Sequence, residues 1–212
     1  MSQYGNIQLR STARITNLPI PISDNEPGLA RDACYFPMTG GRQFSQAVNC
    51  TPTATSLQQA NVCRFSILEV QSSCIISTIQ TEVTTLIAGA LYRTCIYNVD
   101  NLLYPTTLVA DGLVDQNAAT IGTKTTNLAS NITLRAGLYL VGIKNSAAPT
   151  MRALDPRAVS PALGMSGALA PISGFTVPFT WVANTPFPAT FPALTVGIIV
   201  QSAQPIFLFT SV

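Results

Sequence analysis

Histidine is absent from all 212 residues, and only 9% of the chain is charged, against about 25% in an ordinary soluble protein. Without imidazole there is no Ser–His or Cys–His couple, no histidine metal ligand and no acid/base group titrating near neutral pH. The 11 Lys and Arg barely outnumber the 9 Asp and Glu, leaving a formal net charge of +2. That is no basic footprint for nucleic acid. Long hydrophobic runs are missing too. The most apolar windows, 84–92 and 194–200, fall well short of the roughly 18 residues needed to span a bilayer. Residues 1–14 alternate polar and apolar without the hydrophobic stretch of a signal peptide. The chain therefore reads as neither embedded in a membrane nor secreted by a standard signal. Amphipathic helical periodicity and heptads are also lacking, which excludes a coiled-coil stalk.

What is present is apolar and uncharged-polar. Hydrophobic residues make up 47%, far too many for a disordered chain, and Thr, Ser, Asn and Gln fill the place of the missing charges. Five cysteines, Cys34, Cys50, Cys63, Cys74 and Cys95, fit neither a zinc motif nor a disulfide framework. They read as small buried thiols of a protein made in a reducing compartment. The nine carboxylates are scattered and select no glycosidase pair. Asp111 and Asp115 lie close in sequence but lack the oxygen-ligand pattern of a calcium loop, and read as solvated charges at a strand end. Gly164-Met165-Ser166-Gly167 has the wrong spacing for a nucleophile elbow and no His to activate the serine. No catalytic residue, metal or cofactor is expected.

The chain divides by texture at about residue 60. Residues 1–60 carry spaced apolar residues interrupted by Pro19, Pro21 and Pro27, which block helix and remove ladder donors. This reads as an extended N-terminal arm. Ile7, Leu9, Arg10, Ile15, Leu18, Ile20 and Ile22 are its candidate binding residues, lying either on the protein's own body or on a neighbouring subunit.

Residues 61–212 read as strands. In 89–98 one face shows Ala90, Tyr92, Thr94 and Ile96, the other Leu91, Arg93, Cys95 and Tyr97. In 137–144 both faces are apolar, which places that strand centrally. Further strands are expected at 64–70, 73–81, 108–114, 120–133, 196–200 and 206–210. Many short strands with turn signals between them make an all-β protein, an antiparallel jelly-roll-like β-sandwich with an extended N-terminal arm. Residues 149–192 hold eight of the fifteen prolines and the aromatic set Phe175, Phe179, Trp181, Phe187 and Phe191. Rigid loops here either present aromatic faces to a partner subunit or a glycan, or fill a core beneath them.

The run Cys95-Ile96-Tyr97-Asn98, then Leu103-Tyr104-Pro105-Thr106-Thr107-Leu108, then Ile132-Thr133-Leu134-Arg135-Ala136-Gly137-Leu138-Tyr139-Leu140 and Pro149-Thr150-Met151-Arg152 resembles the jelly-roll modules of tailed-bacteriophage virion surface proteins. Such modules occur in capsid decoration (cement) proteins and tail-fibre heads. Thr106 stands where that pattern usually has Gly, and Leu140 where Trp is common. The resemblance implies a non-enzymatic structural protein of the virion surface, assembled in the host cytoplasm as a homotrimer. Its partners would be copies of itself and the major capsid protein, with no nucleic acid and no membrane. A receptor-binding tail-fibre head recognising host-surface glycan is the alternative.

Overall fold

A computed structural model describes residues 43–45, 54–70, 73–153, 174–192, 199–201, 205 and 207–211. Among them all regular structure is strand, in two antiparallel sheets. The thirteen strands are β1 Gln43–Ser45, β2 Ala54–Leu57, β3 Val62–Val70, β4 Cys74–Thr85, β5 Leu91–Val99, β6 Pro105–Asp111, β7 Gln116–Asn117, β8 Gly122–Leu134, β9 Gly137–Asn145, β10 Thr150–Ala153, β11 Gly174–Pro178, β12 Ile199–Gln201 and β13 Leu208–Ser211.

One sheet contains the order β2-β10-β4-β8, and the other the order β3-β9-β5-β6. Setting the short β7 aside, the chain crosses between sheets at every step from β2 to β10 except β5 to β6. That is the double Greek key of a jelly roll. The all-β antiparallel sandwich expected from the sequence is the fold observed. Additional strands widen both sheets. β11 and β12 extend the second sheet beyond β3, while β13 pairs β4 beside β10 and carries β1 on its far side. Two strands, β1 and β2, thus come from the stretch before residue 60 and sit in the first sheet.

The period-two reading of the central strands holds residue by residue. Tyr92 and Ile96 of β5, with Tyr139, Val141 and Ile143 of β9, point between the sheets. There they meet Ile76, Ile79 and Val83 of β4, Met151 of β10, and Phe207 and Phe209. Cys95 and Tyr97 of β5 and Leu140 of β9 point the other way, into a separate cluster. The three described cysteines are buried thiols. Burial pushes Cys74 and Cys95 above the ordinary thiol range, which keeps them protonated and unreactive.

Gly142 marks where this packing is tightest. A Cβ there would sit 2.6 Å from Phe65 Cε1 and 2.8 Å from Cys95 Sγ, so the glycine lets side chains from both neighbouring strands meet over β9. Gly142→Ala is expected to destabilise the protein by about 1–3 kcal/mol through overpacking, read as a lowered midpoint in chemical denaturation.

Candidate functional site

Sheet β3-β9-β5 has an outer face as apolar as its inner one, and a second layer covers it. Cross-strand register lines up Phe65, Gly142 and Cys95 in one row and Cys63, Lys144 and Arg93 in the next. Phe175 and Val177 of β11 lie beside Phe65 and Cys63, and the segment 179–191 folds over the rows. Aromatic rings make most of the contact. Phe65 packs on Phe175 and Phe191 with centroids 5.5 and 5.2 Å apart. Tyr97 meets Phe191 edge-on at 5.3 Å, and Phe179 stacks on Phe191 at 5.7 Å. These are favourable offset and edge-to-face geometries. Tyr97 fixes the layer by donating its hydroxyl to the Pro188 carbonyl at 2.6 Å.

One end of this layer is ionic. Arg93 grips Asp111 with two nitrogens, Nε to Oδ1 at 2.9 Å and Nη2 to Oδ2 at 2.8 Å, and reaches Asp115 Oδ1 with Nη1 at 3.3 Å. Beside it Lys144, 1% exposed, donates from Nζ to the Thr185 carbonyl at 2.7 Å. Its ammonium lies 4.7, 5.4 and 5.5 Å from the ring centres of Phe187, Phe179 and Trp181, within cation–π range. The carboxylates in turn accept backbone N–H groups of the covering segment, Asn184 on Asp115 at 2.6 Å and Phe187 on Asp111 at 3.3 Å. Asn61, at a left-handed φ of 57° that asparagine tolerates, accepts the Trp181 N–H at 3.0 Å.

Two cations and two carboxylates therefore cancel inside a weakly hydrated site and staple the segment to the sheet. Burial lowers the Lys144 pKa, and the neighbouring Arg93 lowers it further, against the opposing pull of Asp111 and Asp115. For Arg93 burial is outweighed by its bonds to Asp111 and then Asp115, and the net shift is upward. Both carboxylates are fully engaged, so neither is placed as a free acid or base.

Asp111 and Asp115 are thus not the solvated strand-end charges read from the sequence. The isolation of each acid in sequence hid Arg93, 18 and 22 residues away. The aromatic set divides. Phe175, Phe187 and Phe191 are buried at 2%, 3% and 6% exposure and fill the protein's own second layer, so they are closed to a glycan or partner. Phe179 and Trp181 are half-buried and keep an accessible side. The arm residues Ile7, Leu9, Arg10, Ile15, Leu18, Ile20 and Ile22 lie outside the described residues, as does the Gly164–Gly167 turn. Lys144 was missed altogether, because a lysine closing an apolar strand reads as a solvated end. Beyond the staple, a cleft of about 210 Å³ is lined by Leu108, Leu113, Leu128 and Ile132, with Arg93 and Asp111 at its polar end. Among the described residues no group of His, Cys, Asp and Glu is placed to hold a metal.

No family model matches the chain, and no curated protein matches it. Among solved structures, the crystal structure of the cysteine protease and lectin-like domains of Cwp84, a surface-layer-associated protein of Clostridium difficile, is similar at 11% identity with a TM-score of 0.38. The match covers 78% of this chain and 37% of that one. At that level it bears on neither fold nor activity.

Removing one partner of the Arg93–Asp111 pair strands the other in a dry site. Asp111→Asn is expected to cost about 3 kcal/mol, and to open the 179–191 segment to protease before global unfolding. Burial also holds Tyr97 and Tyr92 above the ordinary tyrosine range. The folded state therefore keeps these protons where the unfolded chain loses them, and stability should fall as pH rises past about 10. Tyr97→Phe should make that fall shallower in a pH series of thermal midpoints, with a pH-independent loss of about 1 kcal/mol from the missing Pro188 bond.

Proposed function

We propose that the chain is a non-enzymatic structural protein of a virion surface, a capsid decoration (cement) protein that acts as a symmetric oligomer. The observation that carries this reading is the edge strand β8. Nine of its thirteen residues pair with β4 along one side, with the register broken at 128–131, and on the other side the described residues supply a single bridge, from Gly112 to Leu128. Its exposed side chains, Thr123, Thr125, Asn127, Ala129, Ser130, Asn131 and Thr133, are uncharged. Monomeric proteins usually guard such an edge with charge, proline or a bulge that turns it away. Here the strand has one charge, Lys124, and no proline, and its irregularity at 128–131 lies outside the regularly paired run 122–127.

Exposed apolar residues lie close by in sequence or space. Leu113, Val114 and Ile121 are 55%, 54% and 62% exposed, and Val182 is 52% exposed. The Asn184–Asp115 bond brings the turn of Val182 beside Leu113 and Val114. Such a surface can be covered by another copy or by a shell lattice without desolvating ions. A protein that binds only the assembled shell stabilises it by mass action, and the N-terminal arm read from the sequence, with its spaced Ile and Leu residues, is the natural anchor.

The tail-fibre alternative keeps one supporting observation, the half-buried Trp181 beside Phe179. Glycan binding that is lost in Trp181→Ala would favour it. Under the primary reading the purified protein is a trimer in light scattering at micromolar concentration. Thr125→Lys combined with Asn127→Lys dissociates it while leaving the fold intact by circular dichroism. A monomeric wild type, or labelled particles carrying the protein only at the tail, would count against the decoration role.

A further inference from the structure

The space between the sheets contains an ionic group with nothing to balance it. In β3, Cys63 and Phe65 face the outer aromatic layer, so Arg64 and Ser66 face inward. Arg64 is 4% exposed. One guanidinium nitrogen, Nη1, donates to Ser56 Oγ of β2. Nε is buried without a partner. Among the described residues no carboxylate pairs with Arg64, whereas Arg93 holds two and Arg152 one. A guanidinium stays charged in a protein, and an unpaired buried charge is strongly unfavourable. Neutralisation by proton loss is not open to this residue, so an anion is the remaining remedy.

The surroundings are built of unsatisfied polar atoms. Among the described residues seven buried side-chain polar atoms lack a partner; those on Gln58, Arg64, Ser66, Asn145 and Thr176 belong to this end of the sandwich, and Thr94 stands in the row of Arg64 beyond Ile143. Thr176 stands directly opposite Arg64 in the β11–β3 register. Ser66 is two residues along the same face. Asn145 lies diagonally across on β9, two residues beyond Ile143, the register partner of Arg64. Gln58 turns its amide nitrogen onto the Ser56 carbonyl at 3.0 Å and leaves its oxygen unpaired. Native interiors leave few such groups, and each calls for a ligand, an ion or water.

The unpaired Nε side of the guanidinium is the edge that takes a planar oxyanion through two parallel N–H bonds. The hydroxyls of Ser66 and Thr176 are donors of the kind that complete such a site. We propose that this inter-sheet cluster binds a small planar oxyanion, a carboxylate first among them, held by Arg64 with Ser66 and Thr176. This is a binding site inside the fold, separate from the ionic staple on the outer face and independent of the virion role.

The test is chemical unfolding of the full chain at constant ionic strength, with formate, acetate or nitrate replacing chloride. In the wild type the folding equilibrium constant should rise with the planar anions, up to tenfold for each tenfold increase in concentration above the dissociation constant. Chloride should do less. Arg64→Met removes the charge and should abolish the dependence. Thr176→Val, which preserves shape and keeps the arginine, should weaken it severalfold and remains informative if Arg64→Met fails to fold. Equal anion dependence in wild type and both variants would mean a solvent effect only and overturn the proposal. So would a wild type indifferent to the anion, whether water or another part of the chain then balances Arg64.

Discussion

A sheet whose middle strand is apolar on both sides must be covered twice, and most of this molecule follows from that constraint. β9 sits between β3 and β5, with Tyr139, Val141 and Ile143 toward the inner core and Leu140 toward the outer one. The first cover is the opposite sheet, as in any sandwich. The second is made by β11 and the segment to Phe191, which adds a strand beside β3 and then lays aromatic rings across the rows. Gly142, without a side chain, allows Phe65 and Cys95 to meet above the central strand. The segment from β11 to Phe191 is therefore a structural layer that buries Phe175, Val177, Phe187 and Phe191 against the sheet, rather than a display of loops.

An added layer of irregular chain has a specific weakness. It has backbone N–H and C=O groups that no ladder satisfies, and buried ones must still find partners. The ionic staple answers that need. Asp111 and Asp115 accept N–H groups from the segment, Lys144 donates to its Thr185 carbonyl, and Tyr97 donates to Pro188. Arg93 holds the two carboxylates together, and the rings of Phe179, Trp181 and Phe187 shield Lys144 from water. A buried ion pair is in itself weak evidence of net stability. Its worth here lies in geometry, because it fixes a segment that has no regular hydrogen bonding of its own.

Much of this was legible in the sequence, for a physical reason. Strands pairing in a two-layer sandwich alternate their faces with a period of two, and β5 and β9 carry that period without exception from Tyr92 to Tyr97 and from Tyr139 to Ile143. The buried state of Cys63, Cys74 and Cys95 was legible too, since spacing and number argued against metal and disulfide. The second layer was legible only as one of two readings of the aromatic set. Pro178, Pro186 and Pro188 interrupt any period between Phe175 and Phe191, so burial there depends on contacts with Phe65 and Tyr97, about a hundred residues earlier in the chain. The staple was hidden by the same distance. Arg93, Asp111, Lys144 and Thr185 share no local pattern, and each alone looks like an ordinary surface residue. Arg64 was concealed too, as one residue of an expected strand, 64–70, to whose faces the sequence assigned neither core nor solvent.

The scarcity of charge then takes on a different meaning from the one it had in the composition. Several of the few charges are withdrawn from the surface: Arg64, Arg93 and Lys144 are buried, and Asp111 and Asp115 are engaged beneath the covering segment. Among the described residues, what they leave outside is poorer in ions than the 9% of the whole chain implies. A low-charge exterior loses the repulsion that keeps proteins apart, and β8 adds a row of backbone groups free to pair. Interior ion pairing thus sets how few ions this exterior would have to desolvate against another surface. Each cation enclosed with a carboxylate lowers the cost of bringing the outside of one copy against another.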